Sequence, residues 1–211
     1  MLPFGHIGIT LASVSLGFGL RDKLRHGLTE DEVEEISPTG DSHPSNEHPG
    51  SEPSLYSSLA NRMDIRFLLI GSLLPDIIDK PIGVYFFRET FSSGRIFSHT
   101  LLFFVSITIV GFLINKYSGK TWGLALSFGT LFHLILDEMW LTPQTLLWPL
   151  YGFGFDKYEI ANWLVNILHG LLEKPKLYVP EIIGFVVLML FIWELLHRRA
   201  IIKFLRRGRV Y

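Results

Sequence analysis

Residues 99–137 read HTLLFFVSITIVGFLINKYSGKTWGLALSFGTLFHLILD, and the fold follows from how this stretch is parsed. Two apolar runs, from about Phe97 to Ile114 and from Trp122 to Trp140, flank the polar turn Asn115-Lys116-Tyr117-Ser118-Gly119-Lys120, the pattern of a helical hairpin. At about 1.5 Å of rise per residue, runs of roughly eighteen residues approach the roughly 30 Å thickness of bilayer hydrocarbon. The polar exceptions sit at one end of this hairpin. His99 opens the first run, and His133 and Asp137 close the second.

Three further apolar runs lie outside this hairpin. Pro3 to Leu20 starts without the basic n-region of a secretory signal and reads as a retained helix. Ile65 to Ile78 is short and carries Pro75 and Asp76 near its end, so it is expected to tilt, break or only partly cross. Val179 to Leu196 is followed by a basic stop, His197-Arg198-Arg199 with Lys203, Arg206, Arg207 and Arg209. Between Glu159 and Glu173, Trp163, Leu164, Ile167, Leu168, Leu171 and Leu172 share one helical face, with Asn162, Asn166, His169 and Glu173 opposite. That pattern, after the aromatic, helix-breaking stretch 146–155, predicts an interfacial loop and amphipathic helix over residues 141–177.

The expected fold is therefore all-α, a polytopic membrane helical bundle of about five hydrophobic helices plus one interfacial amphipathic helix. Residues 1–211 form a single membrane domain, and the Ser-, Pro-, Gly- and charge-rich residues 21–64 form a flexible cytoplasmic insertion. Composition agrees: 48% of residues are hydrophobic, 18% are charged, and mean hydropathy is +0.33. A net charge of −1, with basic residues confined to short flanks, excludes a nucleic-acid partner. The chain has no cysteine, which removes disulfides, thiolate metal sites and cysteine nucleophiles together. No internal repeat points to an inverted-repeat transporter.

If the five runs cross alternately, starts of odd spans and ends of even spans face the same side. His6, Asp76, Asp79, His99, His133 and Asp137 all arrive there. The other side collects Arg21, Lys23, Arg25, Arg62, Arg66, Lys116, Lys120 and the six basic residues after Leu196; the first holds Lys80, Arg88, Arg95, Lys157, Lys174 and Lys176. Since basic loops favour the cytoplasm, the expected orientation in the cytoplasmic membrane has the amino terminus outside, the carboxyl terminus inside and the site facing outward.

An aspartate near the centre of a membrane helix costs roughly 2.5–3.5 kcal/mol, so several together need compensation, which a divalent cation provides. His133 and Asp137 lie one helical turn apart, and Asp76 and Asp79 form a similar pair at i, i+3. Imidazole and carboxylate without thiolate suit zinc first, with manganese or iron as alternatives. Six ligands serve one or two ions, with His99, His133 and Asp137 assigned to one, His6 and Asp76 to a second, and Asp137 or Asp79 bridging. Other readings remain open for each residue. The His133–Asp137 pair is compatible with an interhelical hydrogen bond, Asp76 and Asp79 with helix capping or pairing to Lys80, His6 with a place among headgroups, and His99 with capping the third helix beside Ser98 and Thr100. His26, His43 and His48 are expected to be solvated, His169 to meet water or headgroups, and His197 to belong to the basic tail. Arg95, one turn before His99, is a candidate contact for a substrate phosphate or an anionic lipid.

Gly71-Ser72-Leu73-Leu74-Pro75-Asp76-Ile77-Ile78-Asp79, Arg95 through Ser98-His99-Thr100, His133-Leu134-Ile135-Leu136-Asp137 and Leu147-Trp148-Pro149 resemble, in this order, the YdjM-like family of predicted membrane-bound metal-dependent hydrolases. Phe4-Gly5-His6-Ile7-Gly8 looks like that family's early histidine. The resemblance covers most of the chain outside the polar insertion and the final span. The order His, Asp, His, His-x-x-x-Asp is also similar to the first part of the zinc-dependent phospholipase C pattern. These resemblances imply a metal-dependent hydrolase of a phosphoester or phospholipid headgroup. Asp76, Asp79, His99, His133 and Asp137 would be its catalytic centre, a metal-bound hydroxide its nucleophile, and membrane lipids its surroundings. The contrasting expectation is a metal-ion transporter or a metal-stabilised membrane scaffold without hydrolysis. The sequence leaves the oligomeric state open.

Overall fold

A computed structural model describes residues 2–15, 64–155, 157, 163–197 and 199–208. The insertion read at 21–64 falls outside these residues except for Asp64, as do the first four residues of the predicted 159–173 helix. The chain divides into two units, residues 1–11 with 63–211, and residues 12–62. Of the second, only residues 12–15 are described, as a continuation of the first helix.

Among the described residues every regular element is helical. Helix α1 covers residues 3–15, and α2 (Ile65–Lys80) runs on through a π-helical turn, Pro81–Phe86. The short α3 (Arg88–Phe91) precedes a bent segment, then α4 (Leu101–Ser118) and α5 (Trp122–Leu136). After a 3-10 turn at Met139–Leu141 come α6 (Pro143–Leu146), α7 (Trp163–Glu173), α8 (Pro175–His197) and α9 (Ile201–Arg207). The hairpin expected from 99–137 is present as α4 and α5, with Gly119 ending α4 at φ 66°. Thr108 Oγ1 and Ser127 Oγ lie 2.6 Å apart across it.

Two helices, α4 and α8, are long and apolar enough to cross a membrane; α5 is apolar but shorter. The five-span count of the sequence reading thus reduces here to two helices that meet the length requirement. The reason lies at the site. Helix α5, of 15 residues, ends where Asp137 sits and is about 22 Å long at 1.5 Å per residue, whereas α2, of 16 residues and about 24 Å, is prolonged past its aspartates by the π-helical turn. The predicted fourth run continues to Trp140, but its helix stops at Leu136, because Asp137 leaves helical geometry and Glu138 takes φ 52°.

Pro75 does not break α2. A proline has no N–H to give the carbonyl four residues back, and here the Thr130 hydroxyl of α5 is shared between the Leu126 oxygen of its own helix, at 3.1 Å, and the freed Gly71 oxygen, at 3.4 Å. Polarity is inverted relative to a water-soluble domain: His6, Thr10, Ser72, Asp79, Ser98, His99, Thr130 and His133 are wholly buried, while Val110, Phe112, Ile182 and Trp193 on α4 and α8 are exposed. Only Gly111 of α4 is buried. Such an exterior suits lipid as solvent.

Helix α2 packs chiefly on α5, and α4 packs on α5. The α2–α5 crossing is a backbone contact. A Cβ placed on Gly129 would stand 2.1 Å from the Leu68 oxygen and 2.7 Å from the Ser72 nitrogen. Gly129→Val is therefore expected to force α2 and α5 apart, at a cost of at least about 3 kcal/mol, the upper end for overpacking. A thermal midpoint unchanged from wild type in detergent would contradict so close an approach.

Candidate metal centre

Helix α2 brings Asp76 and Asp79, α5 brings His133 and, at its C-cap, Asp137, α1 brings His6, and the segment before α4 brings His99. These six residues, from four parts of the sequence, are all buried. Their placement begins with the Gly129 crossing, which sets the Ser72 carbonyl 2.7 Å from His133 Nδ1. A carbonyl only accepts, so Nδ1 carries the proton and Nε2 presents its lone pair. His99 is fixed in the same sense. Its Nδ1 lies 2.7 Å from Asp79 Oδ2, leaving Nε2 to point the other way.

The two Nε2 atoms face each other at 3.1 Å. Two lone pairs at that distance repel, so a cation belongs between them, either a proton or a metal. Burial opposes a charge on His99, but the carboxylates of Asp76, Asp79 and Asp137 outweigh it and raise its pKa above the usual imidazole value. Asp76 Oδ1 completes a triangle, 3.6 Å from His99 Nε2 and 3.9 Å from His133 Nε2. Asp137 Oδ2 lies 3.8 and 3.9 Å from the same two nitrogens. In a tetrahedral site with bonds of about 2.0–2.2 Å, ligand atoms stand roughly 3.3–3.6 Å apart. The observed spacings match to within a few tenths of an ångström. The donor set therefore fits a metal ion.

A second group shares His133. The His6 ring stacks on it, with centroids 4.1 Å apart and planes 18° apart, and His6 Nε2 lies 3.2 Å from Asp137 Oδ1. Neither His6 nitrogen has a hydrogen-bond partner, although both are buried, and an ion held with His133 and Asp137 would satisfy one of them. Metal-holding groups thus form from His6, His133 and Asp137, and from Asp76, His99 and His133. His133 is the residue common to both.

Asp79 belongs to neither group. Its oxygens accept from the backbone N–H groups of Ile96, at 2.7 Å, Ser98, at 3.0 and 3.1 Å, and His99, at 3.2 Å, besides the His99 ring. It organises the loop that carries His99, the outer-carboxylate arrangement common around metal-bound histidine. Thr100, and not His99, caps α4, its Oγ1 accepting from Phe103 N. Arg95 Nη2 lies 2.9 Å from Asp137 Oδ2, and Lys80 Nζ 2.6 Å from Asp76 Oδ2; both side chains are about one-third exposed. Burial would raise the Asp137 pKa, but the neighbouring His6 imidazole and the Arg95 charge hold it well below the usual carboxylate range. It stays ionised, as a metal ligand must.

Lys80, one turn after Asp76, joins this centre through that carboxylate, where the sequence offers it only as a pairing partner for the acids. A lone acid in an apolar run, Glu181, is a signal the sequence reading does not use. Glu181, in α8, is buried and accepts from Leu2 N at 2.7 Å and Gly5 N at 3.0 Å.

A family model described as YdjM inner membrane protein matches residues 44–203. The match takes in Asp76, His99, His133, Asp137 and the final apolar run, which the sequence reading had left outside the resemblance, and it begins after His6. No curated protein and no solved structure matches the chain, so the similarity to zinc-dependent phospholipase C rests on residue order alone.

Proposed function

The chain belongs to the YdjM inner membrane protein family, and from that premise we propose that it is a membrane-bound, metal-dependent hydrolase of phosphoester bonds, with phospholipid headgroups as the natural substrates. The observation that carries the metal reading is the 3.1 Å approach of two imidazole nitrogens whose partner nitrogens are already committed. His99, His133 and Asp76 hold the principal ion, with Asp137 beside them. His6, with His133 and Asp137, offers a second place. Zinc is the first candidate and manganese or iron the alternatives.

A divalent cation in such a site supplies Lewis acidity toward a phosphoryl oxygen and lowers the pKa of water. The remaining work falls to the chain's own residues. Asp79 holds His99 in one tautomer. Asp76 and Asp137 would serve as ionised carboxylate ligands, and Arg95, partly exposed beside Asp137, would pair with a phosphoryl oxygen. In this reading α1, α2, α4, α5 and α8 all cross the bilayer, α7 lies in the interface, the amino terminus and the site face outward, and the carboxyl terminus is cytoplasmic. The shortness of α5 supports it, because a helix that stops below the membrane surface leaves a depression at the ligand end.

The full burial of His6, His99 and His133 favours the second reading, a transporter or metal-stabilised scaffold. Hydrolysis decides between them. Purified protein should cleave a chromogenic phosphodiester or a phospholipid in mixed micelles, lose that activity to a chelator, and regain it with zinc. Stoichiometric zinc with no cleavage of any ester would establish the scaffold or transporter instead.

A further inference from the structure

Glu181 sits in α8, the more apolar of the two long helices, where an ionised carboxylate needs a compensating partner. The partner is a helix end. The first N–H groups of a helix lack intrahelical acceptors and carry partial positive charge, and Glu181 takes two of them, Leu2 N through Oε1 and Gly5 N through Oε2. Three residues on, α8 meets α1 again with no side chain between them. A Cβ on Gly184 would stand 2.1 Å from the Phe4 oxygen, and one on Gly8 2.1 Å from the Gly184 oxygen. Glu181 therefore fixes where α1 begins along α8, and the glycines fix how closely it lies.

His6 is the residue after Gly5. Its own nitrogens have no hydrogen-bond partner to hold the ring, unlike those of His99 and His133. Apart from its stacking on His133 and its 3.2 Å approach to Asp137, the position of its backbone places the ring. We infer that Glu181 is a positioning residue for the metal centre, acting through the amino-terminal end of α1 to hold His6 in ligand range. This rests on the metal reading above. It predicts that Glu181 and His6 contribute to metal affinity as one unit.

The test is zinc affinity of the full chain in detergent, read by competition with a chromogenic chelator, for wild type, His6→Ala, Glu181→Ala and the double variant. Loss of an outer partner weakens metal binding about 10- to 100-fold. Glu181→Ala is expected to lose about as much as His6→Ala, and the double variant no more than His6→Ala alone. If Glu181→Ala does not fold, Glu181→Gln serves: its amide oxygen keeps one of the two N–H contacts, so it should weaken zinc binding severalfold in wild type and not at all beside His6→Ala. An equal loss in both backgrounds, unaltered affinity in the Glu181 variants, or affinity indifferent to His6 would each overturn the inference. A wild-type chain that takes up no zinc would overturn the metal reading, and this inference with it.

Discussion

His133→Ala is expected to remove stoichiometric zinc and, with it, hydrolysis. His133 is the one residue present in both ligand groups, so its loss dismantles both. Its Nε2 stands 3.1 Å from His99 Nε2, 3.9 Å from Asp76 Oδ1 and 3.9 Å from Asp137 Oδ2, and its ring is the surface on which His6 stacks. The fall in affinity should exceed the 10- to 100-fold that loss of an outer-sphere partner brings. Stability should fall as well. Without metal, a proton shared between the paired nitrogens holds them together, so the variant loses that hydrogen bond, the one to the Ser72 carbonyl and the packing of a wholly buried ring, about 2–5 kcal/mol. The metal-free variant should therefore unfold below metal-free wild type, and zinc should raise the midpoint of wild type alone. Elemental analysis and melting curves with and without zinc read both effects. A variant that keeps its zinc would show that His133 is not a ligand.

Asp79→Asn is the second large effect, and it acts without touching a ligand atom. The carboxylate is wholly buried and accepts from three backbone N–H groups and one imidazole. An amide of the same shape turns an NH2 toward donors that need an acceptor. Hydrogen bonds to a buried charge are worth about 1.5–3 kcal/mol each, so losing two of them should cost roughly 3–6 kcal/mol. His99 also loses the group that fixes its Nδ1 proton, and zinc affinity should drop 10- to 100-fold. Melting and chelator competition should fall together. A variant with wild-type stability would mean that Asp79 is free to turn outward and serve as a ligand itself.

Much of the site was legible because ligand chemistry in a membrane segment is conspicuous. His6, Asp76, His99, His133 and Asp137 stand out against apolar runs, and alternating direction alone sent them to one end. Asp79 was legible as a buried acid but not in its role. At i, i+3 from Asp76 it shares a helix face, and nothing in the sequence says that the backbone of Ile96, Ser98 and His99 folds over it. The grouping of ligands was equally hidden. The spacing of His133 and Asp137 suggests a shared ion with His99, yet the rings place His6 on the Asp137 side of His133 and Asp76 on the His99 side.

Boundaries failed where a tertiary partner changed a local rule. Pro75 marks a helix end by propensity, yet α2 continues through it, with Thr130, far along the chain, sharing its hydroxyl with the freed Gly71 carbonyl. The apolar run through Trp140 suggests a longer α5, but the backbone turns at Asp137 and Glu138 to bring the carboxylate inward.

The account depends on a cation lying between the paired imidazoles, and zinc K-edge absorption of the zinc-loaded, purified wild-type protein reads that directly. The predicted spectrum has a first shell of nitrogen and oxygen at about 2.0–2.1 Å with the outer-shell scattering of at least two imidazoles. An all-oxygen shell with no imidazole signature would place the metal elsewhere and contradict it.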